Sequence, residues 1–164
     1  MSISALWKRS TAWASRNKKG PENPPIQRII VYTPGVWDLL HVGHVSFLQR
    51  ARSLGTMLIV GVPTDNTVRE DKGEPPLIPC EDRVKMLRAL CYVDHALPYS
   101  TLDFLNHLNL FQPSVLAIGQ NWGKETRHKL AEHWAERNGC RIVILPYTQR
   151  ESTTKIKERV RERV

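Results

Sequence analysis

From Arg28 onward, short continuous apolar runs alternate with longer stretches whose apolar residues recur every three or four positions. The runs RIIVYT (28–33), TMLIVGVP (56–63), HALPY (95–99), SVLAIG (114–119) and CRIVILP (140–146) are too short for stable helices and predict five buried strands. Between them, Gly43–Gly55 carries Val45, Leu48, Ala51 and Arg52 at helical spacing, with Gly55 as a stop. The segment after the second strand is rich in Pro and Gly and predicts a loop. EDRVKMLRALCYV (81–93) then sets Val84, Leu87, Ala89, Leu90 and Cys91 on one side of a helix. TLDFLNHLNLF (101–111) predicts another helix. KETRHKLAEHWAERNG (124–139) is amphipathic through Leu130, Ala131, Trp134 and Ala135 and ends at Gly139. The last helix lies in STTKIKERVRER, opened by Ser152 and Thr153 as caps.

Strands that are apolar throughout and separated by helices predict an α/β fold: a Rossmann-like five-stranded parallel sheet with helices on both faces. Such sheets bind ligands beyond the carboxyl ends of their strands, where the strand order reverses. The loops after strands one, two, four and five are therefore where chemistry is expected.

Charge divides the 164-residue chain. Its net charge of +8 comes from the ends. Residues 1–20 hold Lys8, Arg9, Arg16, Lys18 and Lys19 without an acid, residues 150–164 hold six basic groups against three acids, and the span between is neutral. Residues 1–25 thus form a basic, flexible arm closed by a Gly/Pro cluster, and residues 26–164 the folded domain. The arm's Ser- and Arg-containing composition also suits an organelle transit peptide. Basicity confined to the tails speaks against a nucleic-acid partner and leaves only a weak electrostatic membrane contact. No apolar run is long enough to span a bilayer. Three scattered cysteines without metal-type spacing predict a reducing, cytoplasmic setting.

The loop after the first strand, TPGVWDLLHVGH, opens the first helix. Gly35 and Gly43 permit a tight turn and close approach. The helix N-terminus attracts phosphate, and His41 and His44 sit at that same end. Their imidazole donors suit negative charge developing on phosphorus, while Asp38 would order the loop or face a metal that accompanies phosphates. A zinc site built on the two histidines lacks a third ligand nearby. In the last loop Ser152, Thr153 and Thr154, followed by Lys155, exceed what a helix cap needs. After strand four, Gly119, Asn121 and Trp122 offer a place for a flat ring, although Trp122 would equally pack onto the sheet edge. Lys72, beside Gly73, would swing onto phosphate, and Arg83 would grip it bidentately.

The HxGH element (His41–His44), joined to a distal STTKI (Ser152–Ile156), resembles the cytidylyltransferase-like nucleotidyltransferases. GVWDLLHVGHVSFLQRAR, KGEPP at Lys72–Pro76, EDRVKML and YVDHALP extend the likeness over residues 28–163. The resemblance implies transfer of a nucleoside monophosphate from CTP, or sometimes ATP, to a phosphorylated alcohol, with release of pyrophosphate. It implies in-line attack on the α-phosphate, with Mg2+ arriving on the triphosphate. His41 and His44 would stabilise the pentavalent phosphorus, and Lys72 would neutralise phosphate on both substrates. Thr33, Pro34, Gly35, Val36 and Gly43 fall on the nucleotide side, as do Gly119, Asn121 and Trp122 after strand four. Tyr147, Thr148, Ser152, Thr153 and Thr154 complete that side. Asp38 and Arg83 join Lys72 on the acceptor side. A homodimer with Tyr92 and Val93 near the contact is also implied.

Glycerol 3-phosphate is the first acceptor this resemblance suggests, because the short single-domain plan suits that branch; ethanolamine phosphate follows. Two stretches depart from the branch. YTQRESTT stands where its cytidylyltransferases commonly read RTxGxSTT, so Tyr147 replaces an arginine and Arg150 and Glu151 replace small or apolar residues. Gln120 and Asn121 stand where the glycerol-phosphate enzymes favour two acids. These departures keep an ATP-dependent heptose-type sugar-phosphate adenylyltransferase in view, and also a catalytically silent nucleotide-binding module.

Overall fold

A computed structural model describes residues 28–163, apart from 121, 124–125 and 147–151. The basic arm therefore lies outside the described residues. Five strands, β1 (Ile30–Pro34), β2 (Met57–Pro63), β3 (His95–Tyr99), β4 (Val115–Gly119) and β5 (Arg141–Leu145), form one parallel sheet in the order β3-β2-β1-β4-β5. The helices are α1 (Val42–Arg52), α2 (Asp65–Lys72), α3 (Cys80–Arg88), α4 (Leu105–Phe111), α5 (Thr126–Asn138) and α6 (Thr153–Arg161). The chain runs outward from β1 to β3, then returns past β1 to β4 and β5. The order reverses at β1, which opens a crevice beyond the ends of β1 and β4.

The three central strands, β1, β2 and β4, are packed on both faces, which is why they show no alternation of polar residues. Val31, Leu58, Val60, Val62, Val115 and Ala117 pack with Leu48 and Ala51 of α1 and Val84 and Leu87 of α3. Tyr32, Ile59, Leu116 and Ile118 pack with Leu108 of α4 and Ala131 and Ala135 of α5. Gly61 lies where the sheet leaves no space: a Cβ there would collide with the Tyr32 hydroxyl. That hydroxyl is committed to His107 Nδ1 at 2.9 Å.

Several elements differ from the sequence expectation. The stretch expected as loop after β2 contains α2. Thr64 caps it by accepting from Thr67 N–H at 3.3 Å, and Gly73 ends it at φ 83°. Only Thr67 and Val68 of α2 are buried, so the helix leaves no apolar repeat to detect. α4 begins at Leu105 rather than 101, because Phe104 takes a left-handed conformation (φ 43°) and Asp103 accepts the Leu105 N–H at 3.2 Å. α3 stops at Arg88, which leaves Ala89, Leu90 and Cys91 in the following turn, with Cys91 exposed. Leu130 is likewise exposed rather than part of the buried stripe. Val93 belongs to the chain's own core, so of the two residues expected at a dimer contact only Tyr92 keeps surface to offer. No described helix is long and apolar enough to cross a membrane.

Gly61→Ala is expected to destabilise the domain by about 1–3 kcal/mol through overpacking. Urea unfolding should show a lowered midpoint, partly restored in the double variant Gly61→Ala/Tyr32→Phe.

Candidate active site

The β1–α1 loop is held in a strained shape. Trp37 and Leu39 both have left-handed backbones, at φ 57° and 47°. The Trp37 indole donates from Nε1 to Gly61 O at 3.1 Å, and Gly35 N–H donates to the same oxygen at 3.1 Å. The indole lies so close over Gly35 that a Cβ there would meet Cε2 at 2.7 Å. Gly35 is thus required by the ring above it.

His41 is the N-cap of α1. Its Nδ1 accepts from Gly43 N–H at 3.1 Å, so the ring proton of the neutral imidazole resides on Nε2 as a donor. His44, in the first turn, stacks on His41 with ring centroids 3.9 Å apart and meets the Trp37 ring edge-on at 5.3 Å. Its Nδ1 is buried and has no hydrogen-bond partner among the described residues. Burial, chiefly, and then His41 lower its pKa to about 4, against a smaller opposing pull from Asp38. His44 is therefore neutral at pH 7 and placed to hydrogen-bond an anion at the helix's positive end.

Asp38 shapes this site from within. It is 5% exposed, and its carboxylate accepts N–H groups from Leu39, Leu77 and Ile78 at 3.0–3.1 Å. Lys157 Nζ stands 3.6 Å from the same carboxylate, and Asp38 O accepts from Thr153 Oγ1 at 3.0 Å. Asp38 thereby ties the β1–α1 loop to the α2–α3 loop and to α6. These contacts make it an organiser of the loops, one of the roles its sequence position suggests, and it also lines the crevice below.

Arg83 is corrected more sharply. The guanidinium expected to reach phosphate is fully buried. It donates to Ile78 O at 2.9 Å, Val36 O at 2.7 Å, Pro63 O at 2.9 Å and Asp65 Oδ1 at 2.6 Å. Early in α3, it points down onto the strand ends rather than out to solvent. Losing it would leave three carbonyls without this donor and Asp65, itself partly solvated, without its counter-charge.

Two lobes meet at the crevice. The first, about 410 Å³, is lined by His41, Gly43, His44, Trp37, Thr153 and Lys157, with Glu74, Pro75 and Pro76 on another wall. The second, about 330 Å³, is lined by Tyr99, Leu102, Phe104, Trp122, Asp71 and Arg127. Pro34, Gly35, Val36, Val68, Lys72 and Gly119 border both. Trp37 and Phe47 belong to one core cluster, and Tyr99, Phe104 and Trp122 to the other, so each lobe draws its distinctive aromatic lining from a different face of the sheet.

The structure thus brings His41, His44, Lys72, Gly43, Gly119, Thr153 and the Pro34–Val36 turn together, and separates other expected residues from them. Trp122 lies in the second lobe, stacked on His128 at 4.2 Å and donating to Glu132 at 2.7 Å. Ser152 spends its hydroxyl on Lys155 N–H as the α6 cap, and Thr154 is exposed; neither lines a lobe. Thr33 is fully buried beneath the crevice, with its Oγ1 unpartnered among the described residues. Asn121, Tyr147 and Thr148, like Arg150 and Glu151, lie outside the described residues. Sequence reasoning missed Lys157, although four residues after Thr153 is the same helix face. It also missed the bidentate Arg127–Asp71 ion pair (2.6 and 3.1 Å), which no local pattern announces across 56 positions. No group of three or more His, Cys, Asp or Glu is placed to hold a metal among the described residues.

Comparison with known proteins agrees with this geometry. The cytidylyltransferase-like family profile matches residues 32–159. The FAD synthase of Pyrococcus abyssi is 37% identical over 140 residues, covering 83% of this chain and 95% of that protein. The FAD synthase of Thermococcus onnurineus is 40% identical over 141 residues, covering 83% and 93%. The bifunctional protein HldE of Pelobacter propionicus is 38% identical over 135 residues, covering 82% of this chain but only 27% of its own length. The lipopolysaccharide core biosynthesis protein from Thermoplasma volcanium superposes with a TM-score of 0.63 at 26% identity, over 76% of this chain and 99% of that one. A sheet reversing at β1, paired histidines opening α1 and a family match spanning most of the domain lead to one conclusion: the chain belongs to the cytidylyltransferase-like family and is a nucleotidyltransferase.

Proposed function

We propose that this protein transfers AMP from ATP to a phosphate monoester, releasing pyrophosphate, with FMN as the first acceptor to test. The observation that carries the transfer reaction is the convergence of two imidazoles, Lys72 and Thr153 on one crevice between two helix N-termini. Such a site offers positioning and charge neutralisation, which is what nucleotidyl transfer asks of a protein. The choice of ATP over CTP, the donor first expected from the sequence, is supported by the two FAD synthases, whose named product joins FMN to AMP. Tyr147, standing in place of the cytidylyl branch's arginine, supports the same choice.

In this reading an oxygen of the acceptor phosphate attacks the α-phosphorus in line. The new phosphoanhydride forms as the bond to the β-phosphate breaks. Nε2–H of His41 and the neutral His44 donate to the α-phosphoryl oxygens as charge builds there. Lys72, on the rim common to both lobes, stands between the two phosphates. The N-terminus of α6, with Thr153 and Lys157, receives the β- and γ-phosphates. Mg2+ would come with the triphosphate and help neutralise its charge. The reading includes a homodimer through the turn at Tyr92; light scattering should give twice the 18.8 kDa chain mass, and a monomer would remove this part.

Pyrophosphate release should be measured with ATP, CTP, GTP and UTP against FMN, glycerol 3-phosphate, ethanolamine phosphate and heptose 1-phosphate. ATP is expected to be at least tenfold better than CTP. Strict CTP dependence would restore the cytidylyl reading, and absence of turnover with every pair would leave only a nucleotide-binding module.

His44→Asn is expected to lower kcat by about 100-fold or more while the domain stays folded. It also tests the neutral imidazole. A folded-state pKa held near 4, below the ordinary 6.5, means that the unfolded chain binds the extra proton first as pH falls. Stability is then fully present above about pH 6.5 and falls between there and pH 4. Urea midpoints at pH 7 and pH 5 should differ less in His44→Asn than in the wild type.

A further inference from the structure

The second lobe has no role fixed by the HxGH and STTKI elements, yet it opens on the same rim. In-line transfer needs the nucleophile and the leaving group on opposite sides of the reacting phosphorus. With the triphosphate end among His44, Thr153 and Lys157 on one sheet face, the acceptor enters from the other. There the wall is apolar and aromatic, through Tyr99, Leu102, Phe104 and Trp122, and its permanent cations among the described residues are Lys72 and Arg127.

Arg127 is held in a revealing pose. Two guanidinium nitrogens face the two oxygens of Asp71, at 2.6 and 3.1 Å, which is also the fork that a phosphate monoester accepts. Both side chains are about one-fifth exposed (23% and 22%), so an incoming anion can reach the pair without opening the core. Asp71 precedes Lys72 at the end of α2, and Arg127 sits in the first turn of α5. The ion pair therefore spans the lobe from wall to wall, next to the lysine shared with the first lobe. Arg83, the arginine whose sequence position suggested this task, is sealed under the strand ends.

We propose that Arg127 is the receptor for the acceptor's phosphate, and that the Asp71 carboxylate occupies its fork until the acceptor displaces it. The inference rests on the phosphate-monoester acceptor of the proposed function. It adds a substrate-binding residue and a specificity rule: the acceptor must carry a phosphate dianion together with a body that lies against Trp122 and Tyr99. A dianion displaces a monoanion from the fork because Lys72 attracts it too, and Asp71 is released toward solvent.

Steady-state kinetics on Arg127→Ala, Arg127→Lys and Asp71→Asn, each checked by thermal melting, would separate a receptor from a structural strap. Arg127→Ala is expected to raise the acceptor KM at least tenfold and to move the ATP KM less than twofold. Arg127→Lys should recover only part of the loss, because it lacks the fork. Asp71→Asn should leave the acceptor KM unchanged or lower it. The proposal is overturned if Asp71→Asn raises the acceptor KM as much as Arg127→Ala does, or if Arg127→Ala acts on the ATP KM instead. A lack of turnover with every pair would count against the proposed function, and Arg127 would then be judged by calorimetric titration with FMN and riboflavin. At least tenfold tighter binding of FMN, lost in Arg127→Ala, supports the receptor; equal binding of both by the wild type overturns it.

Discussion

The site depends on how the backbone of one residue, Ile78, is held through both of its flanking peptide groups. Its N–H donates to Asp38 Oδ1 at 3.0 Å, and its carbonyl accepts from Arg83 Nε at 2.9 Å. Asp38 lies in the loop leaving β1, and Arg83 also holds carbonyls at Val36 and Pro63, at the ends of β1 and β2. Two buried charged groups thus fasten three loops, the one leaving β1, the one leaving β2 and the one leading into α3. Neither charge is wasted on burial, because each is satisfied by several backbone partners as well as by an opposite charge. The cost of desolvating them is offset by fixing irregular backbone where a helix or strand cannot run.

This bracing lets the groups that line the first lobe be delivered from elements far apart in the chain. α1 brings His41 and His44, the end of α2 brings Lys72, and the start of α6 brings Thr153 and Lys157. The hydrogen bond from Thr153 to Asp38 O and the ion pair from Lys157 to the Asp38 carboxylate carry the same bracing across 115 residues to α6. A nucleotidyl-transfer site needs donors fixed before the substrates arrive, since donors that must reorganise contribute less to the barrier. The left-handed backbones at Trp37 and Leu39 are held by this network and by the indole over Gly35.

Much of this was legible in the sequence, for definite reasons. The five strands could be read because they are short apolar runs, packed on both faces at the centre of the sheet, and the switch-point loop because strand order in such folds dictates where ligands go. The histidines could be read because a helix start and a glycine pair framed them. Arg83 was misread because charge suggests exposure, whereas burial depends on partners that lie 5, 18, 20 and 47 residues away. α2 was missed because a helix that buries two residues leaves no periodicity. Ser152 and Thr154 were counted with Thr153 because adjacent hydroxyls look alike in a sequence, while a helix turns each about 100° from the next. The Asp71–Arg127 pair joins two elements on either side of the switch point and has no local signature.

Lys72 borders both lobes. Anionic ligands in the two lobes would both meet this one ammonium, which would make their affinities interdependent. Whatever factor the first-bound ligand imposes on the second through this residue, the second imposes on the first, whichever order they arrive in. Two polyanions sharing this ammonium would repel, so occupancy of one lobe would tax the other, by an amount that Lys157 in the first lobe and Arg127 in the second reduce. The crevice is thus laid out so that what fills one lobe is felt in the other.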